Sequence, residues 1–453
     1  MTNGLRAAEE KMRAAGQHEE AIGAFRAAYE RLAAGESGLL PSAELEPADG
    51  VLAVDDLPAA DPAEALSAVA VIKLNGGLAT TMGLRQPKSL VEARDGHTFL
   101  DIIAGQARVL RERAGVRLPL LLMNSDATEA QTREALVEHP ELDAASFIQS
   151  MEPKLHATEL APVSWPKDPA LEWCPPGHGD VYGALRRSGA LATLLEQGLE
   201  YAMISNSDNL GATVDPRIAR LLAEERIPFL MEVVVGTVSE RKGGHIARRR
   251  TDGHLVLRET AQTPPEDEES FRDYKHWRYY NTNNLWVDLR VLADELERRR
   301  GVLALPLIVN RKTVDPRDPS SPAVLQLESA MGAAIASFQG ARVLCVPRTR
   351  FAPVKTTDDL LVLRSDVYAL SSELTVSPQR PAGPPFVELD PRYYKLLDEF
   401  EARFPAGAPS LREAERLVVR GDVTFERGVV VRGAVELEPE RPERIPAGTV
   451  LGG

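Results

Sequence analysis

Three stretches set charged or polar residues directly after short apolar runs, where the tips of buried strands bring side chains to a ligand. YAMISNSDN (201–209) closes such a run with Asn206-Ser207-Asp208-Asn209. An acid at a strand tip suits Mg²⁺, which takes one or two carboxylates and completes its shell with phosphate oxygens and water. Asn209 and the nearby Asp215 also fit plain Asx-turns. VIKLNGGLATTMGLRQPKSL (71–90) ends its run in Asn75-Gly76-Gly77 and returns with Lys88. Glycines let backbone N–H groups approach a phosphate, and the lysine supplies charge. The loop matches neither the Walker A pattern, since no glycine precedes Lys88, nor G-x-G-x-x-G. By itself it reads equally well as a turn. In VPRTRFAPVKTTDDLL (346–361), Arg348, Arg350 and Lys355 fall within eight positions of an acidic chain. A solvated basic face competes there; Lys355, ahead of an Asp-capped helix, is the candidate to reach a phosphate.

Two further stretches add recognition chemistry. In EWCPPGHGDVYGAL (172–185), Pro175-Pro176 stiffen the backbone and Gly177 and Gly179 free it around His178. A histidine flanked by glycines has little local packing to explain it, so Gly177 and His178 read as ligand residues and Asp180 as a helix N-cap. In RYYNTNNLWVDL (278–289), Asn281, Asn283 and Asn284 crowd before an apolar segment. Amides donate and accept, which suits sugar hydroxyls, while turn formation claims one of the three.

These residues need a scaffold, and the chain alternates apolar runs with amphipathic segments from Val69 to about Val367. VAVIKL, LPLLLM, YAMISN, PFLMEVVV and ARVLCV predict buried strands; residues 101–114 and DPRIARLLAEE predict helices. That alternation predicts an α/β sheet with ligands at the carboxyl ends of its strands. Residues 5–34 predict a helical arm, with Leu5, Met12, Ile22, Phe25, Tyr29 and Leu32 near one face, packing on the body or on another subunit. Residues 35–66 read as an Ala-, Pro- and acid-rich connector with one short helix. VSPQRPAGPP (376–385) is a break before a short helix, and Gly421, Gly428 and Gly433 then punctuate β-branched residues at near-hexapeptide spacing. This predicts two or three coils of parallel β-helix, too few to stand without packing on another domain or subunit.

The 453 residues carry a net charge of −14, which argues against a broad nucleic-acid or anionic-membrane surface. An anionic ligand must therefore be held by a local positive site. Two cysteines, Cys174 and Cys345, support neither a disulfide framework nor a Cys-rich zinc site. With no signal-like or membrane-spanning run, a soluble cytoplasmic protein is expected.

Taken in order, LNGGLATTMG…PKSL, FIQSMEPKL, PPGHGDVYGAL, SNSDNLGATVD, MEVVVGT…KGG, YYNTNNLW, VLQLESAMGAAI and RFAPVKTTDDLL closely resemble the eukaryotic-type UTP–glucose-1-phosphate uridylyltransferase family. The likeness covers about residues 69–370 and continues into GDVTFERGVVVRGAV. It implies a Rossmann-like GT-A nucleotidyltransferase core (67–370), preceded by the arm and connector (1–66) and followed by a linker, helix and left-handed parallel β-helix (371–453). By matching positions, it implies that Leu74, Asn75, Gly76 and Gly77 border the nucleotide, Lys88 meets its phosphates, and Gln149 and Gly177 read uracil. Asn206 would lie near the nucleotide sugar, and Asp208 would hold Mg²⁺. His178 would contact the sugar phosphate, with Gly244, Glu259, Asn281 and Asn283 facing the hexose and Lys355 binding phosphate. The implied reaction joins UTP and glucose 1-phosphate into UDP-glucose and pyrophosphate, with Lys88 and Lys355 as its catalytic cations. Alternatives are a pyrophosphorylase for galactose or N-acetylhexosamine 1-phosphate, a GT-A glycosyltransferase, which would normally show Asp-x-Asp, and a non-catalytic UDP-sugar sensor. The β-helix could also join subunits. One position departs from the family's LNGGLGT: Ala79 replaces its last glycine, which costs about 1 kcal/mol if that position needs positive φ.

Overall fold

All five apolar runs become strands of one sheet in the computed structural model, which describes residues 3–452 except Asp143, Val238, Ser239, Arg241, Lys242 and Ala382. The lysine of the Lys-Gly-Gly motif thus lies outside the described residues. The strands are β1 (Val69–Leu74), β2 (Leu120–Asn124), β3 (Ala145–Ile148), β4 (Tyr201–Asn206), β5 (Phe229–Val235), β6 (Tyr279–Asp288) and β7 (Arg342–Cys345). They lie in the order β7-β5-β6-β4-β1-β2-β3, and Leu52–Ala53 extends the β7 edge. Of these seven, only β6 runs antiparallel to its neighbours. Helices and loops cover both faces of the sheet. β1 and β2 are therefore buried at every position, and their sequences need no polar alternation.

This topology decides where chemistry can occur. Six strands point their carboxyl ends to one edge, and β6, running the other way, begins there. Asn75, Asn124, Gln149, Asp208 and the chain leading from β7 to Lys355 all leave the sheet on that side, and Asn281 enters from it.

The single helix expected over residues 5–34 is two helices, Asn3–Ala14 and Glu19–Ala33, divided at Gly16, whose φ of +74° no helix accommodates. Leu5, Met12, Ile22, Phe25 and Tyr29 are buried as predicted, against Leu155, Leu307, Leu325 and Leu327 of the body. The connector contains its one short helix, Pro62–Leu66, capped by Asp61. At the other end, strands Phe386–Leu389, Ser410–Val419, Val430–Leu437 and Val450–Leu451 stack in parallel, beside a second pair, Val423–Phe425 with Glu443–Ile445. Gly421 and Gly428 turn the chain at φ +130° and +74°. The apolar interior of this stack is continuous with Leu360, Leu361 and Leu363 of the helix after Lys355, so it packs on its own chain. Among the described residues, no helix is long and apolar enough to cross a membrane.

Candidate active site

The loop after β1 and the tip of β4 form one unit. Ser207 N–H donates to Leu74 O at 3.1 Å, and Lys88 N–H to Gly77 O at 3.1 Å, which folds the lysine back over the glycines. Its Nζ reaches Asp208 Oδ2 at 2.8 Å. Asp208 Oδ1 is buried without a hydrogen-bond partner. A carboxylate with one oxygen committed and the other orphaned suits a cation that draws its remaining ligands from phosphate and water. Among the described residues, no group of three or more His, Cys, Asp or Glu side chains gathers for a metal. Gly76 lies against Gln149: a Cβ there would stand 2.7 Å from Gln149 Nε2. Among the described residues, neither the Gln149 side-chain amide nor that of Asn206 at the end of β4 makes a hydrogen bond.

Ala79 has φ −79°, so it carries no left-handed strain, and its methyl is fully buried. The left-handed turn of this loop falls on Gly83 instead, at φ +83°. Ala79→Gly is therefore expected to leave the backbone of the loop unchanged and to lower stability by about 1 kcal/mol in urea unfolding.

Gly177 takes φ +79°, and a Cβ on it would meet Ser329 O at 2.5 Å. Close approach to Ser329 also fixes Gly179, whose N–H donates to Ser329 O at 2.9 Å. His178, half-buried between them, accepts at Nδ1 from Met331 N–H at 2.9 Å, which leaves the ring proton on Nε2. Burial first, and the charge of Lys355 second, push its pKa down to about 4. The folded value lies below the ordinary value of about 6.5, so the folded state favours the neutral ring. That contribution to stability is complete above about pH 6.5 and is lost as pH falls through 4. The imidazole should remain neutral at about pH 5.5 in ¹⁵N NMR spectra. A ring titrating at the ordinary histidine value would be charged at that pH and would lose the Nδ1 acceptor that meets Met331 N–H.

On the opposite flank, Asn281 N–H donates to Gly244 O at 2.9 Å, and a Cβ on Gly244 would touch the Glu259 carboxyl at 2.6 Å. Burial raises the Glu259 pKa, opposed by Lys355. Lys355 thus acts electrostatically on both His178 and Glu259. It is exposed and makes no ion pair among the described residues. Asn281 and Asn283 hold each other: Asn281 Nδ2 donates to Asn283 Oδ1 and Asn283 N–H to Asn281 Oδ1, both at 2.8 Å. Asn283 sits at φ +57°, a conformation asparagine tolerates, so it is the one that serves the turn.

Several expectations change. Asn75 commits Nδ2 to Asn124 Oδ1 and Thr132 Oγ1, at 2.8 and 2.9 Å, tying β1 to β2 and the helix beyond, while its Oδ1 is buried without a partner. Leu74 points into the core at 9% exposure. Asn284 is fully buried and donates to Glu232 and the Arg350 carbonyl, so it faces no ligand. Asp180 makes no side-chain cap; its carboxylate instead accepts from Ser150 N–H, Ser150 Oγ and Arg187, bracing the turn after Gln149. Helix Thr357–Arg364 is capped by Thr356 and Asp359 as a reciprocal box rather than by an aspartate alone. Arg350 is no solvated charge but a buried partner of Glu232.

Lys73 was missed, although a lysine inside VAVIKL is itself a signal. It is 3% exposed and donates to Ser205 Oγ and Ala212 O, both at 2.8 Å. Burial and Arg350 lower its pKa to about 7. It pins the loop beyond Asp208 to the sheet.

A parallel-dominated sheet whose carboxyl edge gathers a glycine loop, a lysine–aspartate pair and a second lysine describes a nucleotidyltransferase. The family model described as "UTP--glucose-1-phosphate uridylyltransferase" matches residues 23–432, and the chain belongs to that family. The barley UTP–glucose-1-phosphate uridylyltransferase is 37% identical over 463 residues, covering 99% of this chain and 95% of its own. A probable UTP–glucose-1-phosphate uridylyltransferase of Schizosaccharomyces pombe is 40% identical over 393 residues, 85% of this chain and 76% of that protein. A crystal structure of a mutant Leishmania major UDP-glucose pyrophosphorylase in complex with UDP-glucose superposes with a TM-score of 0.94 at 42% identity, covering 99% and 98% of the two chains.

Proposed function

We propose that this chain transfers a uridylyl group from UTP to glucose 1-phosphate, giving UDP-glucose and pyrophosphate. The observation that carries this reading is the Lys88–Asp208 pair beside the glycine loop, in a chain that matches the family over most of its length. A phosphate oxygen of glucose 1-phosphate attacks the α-phosphorus of UTP, and the bond to the departing pyrophosphate oxygen breaks in line. The second phosphate pKa is about 6, so the nucleophile is already ionised at neutral pH and needs no general base. The task is to bring two polyanions together, which makes positioning and charge neutralisation the sources of rate.

In this reading, Gly76 and Gly77 let the backbone approach the nucleotide, while Gln149 and Gly177 read uracil. Leu74 and Asn75 shape the strand end from beneath, and Asn206 faces the ribose. Lys88 exchanges its bond to Asp208 for the phosphates. His178 donates from Nε2 to the sugar phosphate, and Lys355 neutralises phosphate charge from the opposite side. Gly244, Glu259, Asn281 and Asn283 face the hexose, where a carboxylate and two amides can meet its hydroxyls. Mg²⁺, held by Asp208 Oδ1, would supply charge neutralisation at the phosphates.

We also read the core as Rossmann-like GT-A, residues 67–370, with the N-terminal helices as an arm. The stacked C-terminal strands we read as a left-handed β-helix able to join subunits, and the chain as cytoplasmic. Pyrophosphate release, measured across nucleoside triphosphates and sugar 1-phosphates with and without Mg²⁺, tests the function. UTP with glucose 1-phosphate should be the best pair and should require the metal. A better rate with galactose or N-acetylhexosamine 1-phosphate would reassign the sugar, and no turnover with any pair would make the chain a UDP-sugar sensor.

A further inference from the structure

Asn209 follows the proposed metal carboxylate, and a local Asx-turn uses only part of what its side chain does. It is buried at 2% exposure. Its Nδ2 donates to Asn284 Oδ1 and to Arg350 O, both at 3.1 Å. Its Oδ1 accepts from Gly211 N–H at 3.2 Å and from Ala352 N–H at 3.0 Å. Two donors and two lone pairs are the whole capacity of a primary amide, and all four are used. Only the Gly211 bond is local; Arg350 and Ala352 belong to the segment that delivers Lys355.

The backbones repeat this join. Asn209 and Pro353 form an isolated antiparallel bridge, and Val354 N–H donates to Asp208 O at 3.1 Å. The far side is anchored in turn: Arg350 Nε and Nη2 donate to Glu232 Oε2 and Oε1 at 2.8 and 2.6 Å, in the middle of β5. Arg350 Nη2 also reaches Thr213 O at 2.7 Å, beyond the metal tip. Asp208 and Lys355, 147 positions apart in sequence, are thus separated by one amide and a few peptide units.

We propose that Asn209 is a positioning residue for the transfer, fixing the Lys355 backbone relative to the Asp208 carboxylate so that both act on the same phosphates. This rests on the roles assigned above to Asp208 and Lys355. Neither a fold requirement nor an Asx-turn by itself predicts that the effect of losing Asn209 passes through Lys355.

Asn209→Ser separates these roles, because a serine hydroxyl can still accept from Gly211 N–H in a local turn but cannot reach Arg350 and Ala352. Misplacing a catalytic group by about 1 Å costs about 100-fold, so kcat should fall by about that factor while KM for both substrates stays near wild type. The sharper readout is the double variant with Lys355→Ala, which should be no slower than Lys355→Ala alone. Asn209→Asp, which keeps the shape and loses both donors, serves as a second variant should the serine protein fail to fold. Multiplicative losses in the double variant, or an Asn209→Ser enzyme with normal kcat, would overturn the proposal. A fully active Lys355→Ala enzyme would instead overturn the role given to Lys355, so the two failures are distinguishable.

Discussion

Lys355→Ala is expected to lower kcat by about 10²–10³-fold, the scale seen when one preorganised charge-stabilising donor is removed. The lysine is exposed and makes no ion pair among the described residues, so folding gives it little to lose. Exposed positions of this kind usually tolerate substitution within about 0.5 kcal/mol. The helix that follows is held by Thr356 and Asp359, and Asp359 accepts the Lys355 backbone N–H at 2.7 Å, which alanine also provides. Thermal unfolding should therefore match wild type while pyrophosphate release collapses. Lys355→Arg is not a rescue, because a planar guanidinium is a larger, differently shaped donor than an ammonium. A folded alanine variant with normal pyrophosphate release would sink the assignment.

What was legible in the sequence was what the backbone does at strand ends. Apolar runs long enough for a buried strand and too short for a helix could only lie in the sheet, and polar residues just after them had to emerge at its carboxyl edge. The place of Asp208 was readable in that way, while Lys88 returns to the edge later in its loop, where its N–H meets Gly77 O. Less legible was where each polar side chain spends its hydrogen bonds. Asn75 and Asp208 both follow strand ends and both keep one buried oxygen without a partner, yet Asn75 commits its amide nitrogen to Asn124 and Thr132 while Asp208 meets Lys88. The difference lies in the neighbouring strand, 49 residues on in the case of Asn124. Asp180 and Arg350 failed for the same reason. Local sequence gave each an ordinary reading, a cap and a solvated charge, and burial against Arg187 and Glu232 replaced it. Gly16 was the opposite case: apolar periodicity continues on either side of it, and its positive φ nonetheless divides the helix.

Asp208→Asn is the second large effect, and its sign in binding differs from its sign in turnover. With Asp208 as the proposed metal carboxylate, its charge should repel UTP when no metal is bound. Lys88 at 2.8 Å offsets only part of that charge and is itself occupied by it. Asparagine removes the repulsion and holds Lys88 by a neutral amide oxygen instead of a charge, so UTP should bind the variant more tightly than wild type in EDTA. In Mg²⁺ the order should reverse, because an amide oxygen is a weaker ligand for a hard dication than a carboxylate. The measured quantity is the coupling between the two ligands: Mg²⁺ should strengthen UTP binding strongly in wild type and weakly in Asp208→Asn. Turnover should fall by about 10³-fold, since a metal at a transferring phosphoryl group supplies several kcal/mol of charge stabilisation. The amide can still accept from Lys88 Nζ, so the thermal midpoint should hold. Equal Mg²⁺ coupling in the two proteins would place the metal on the phosphates alone and leave Asp208 as the partner of Lys88 and nothing more.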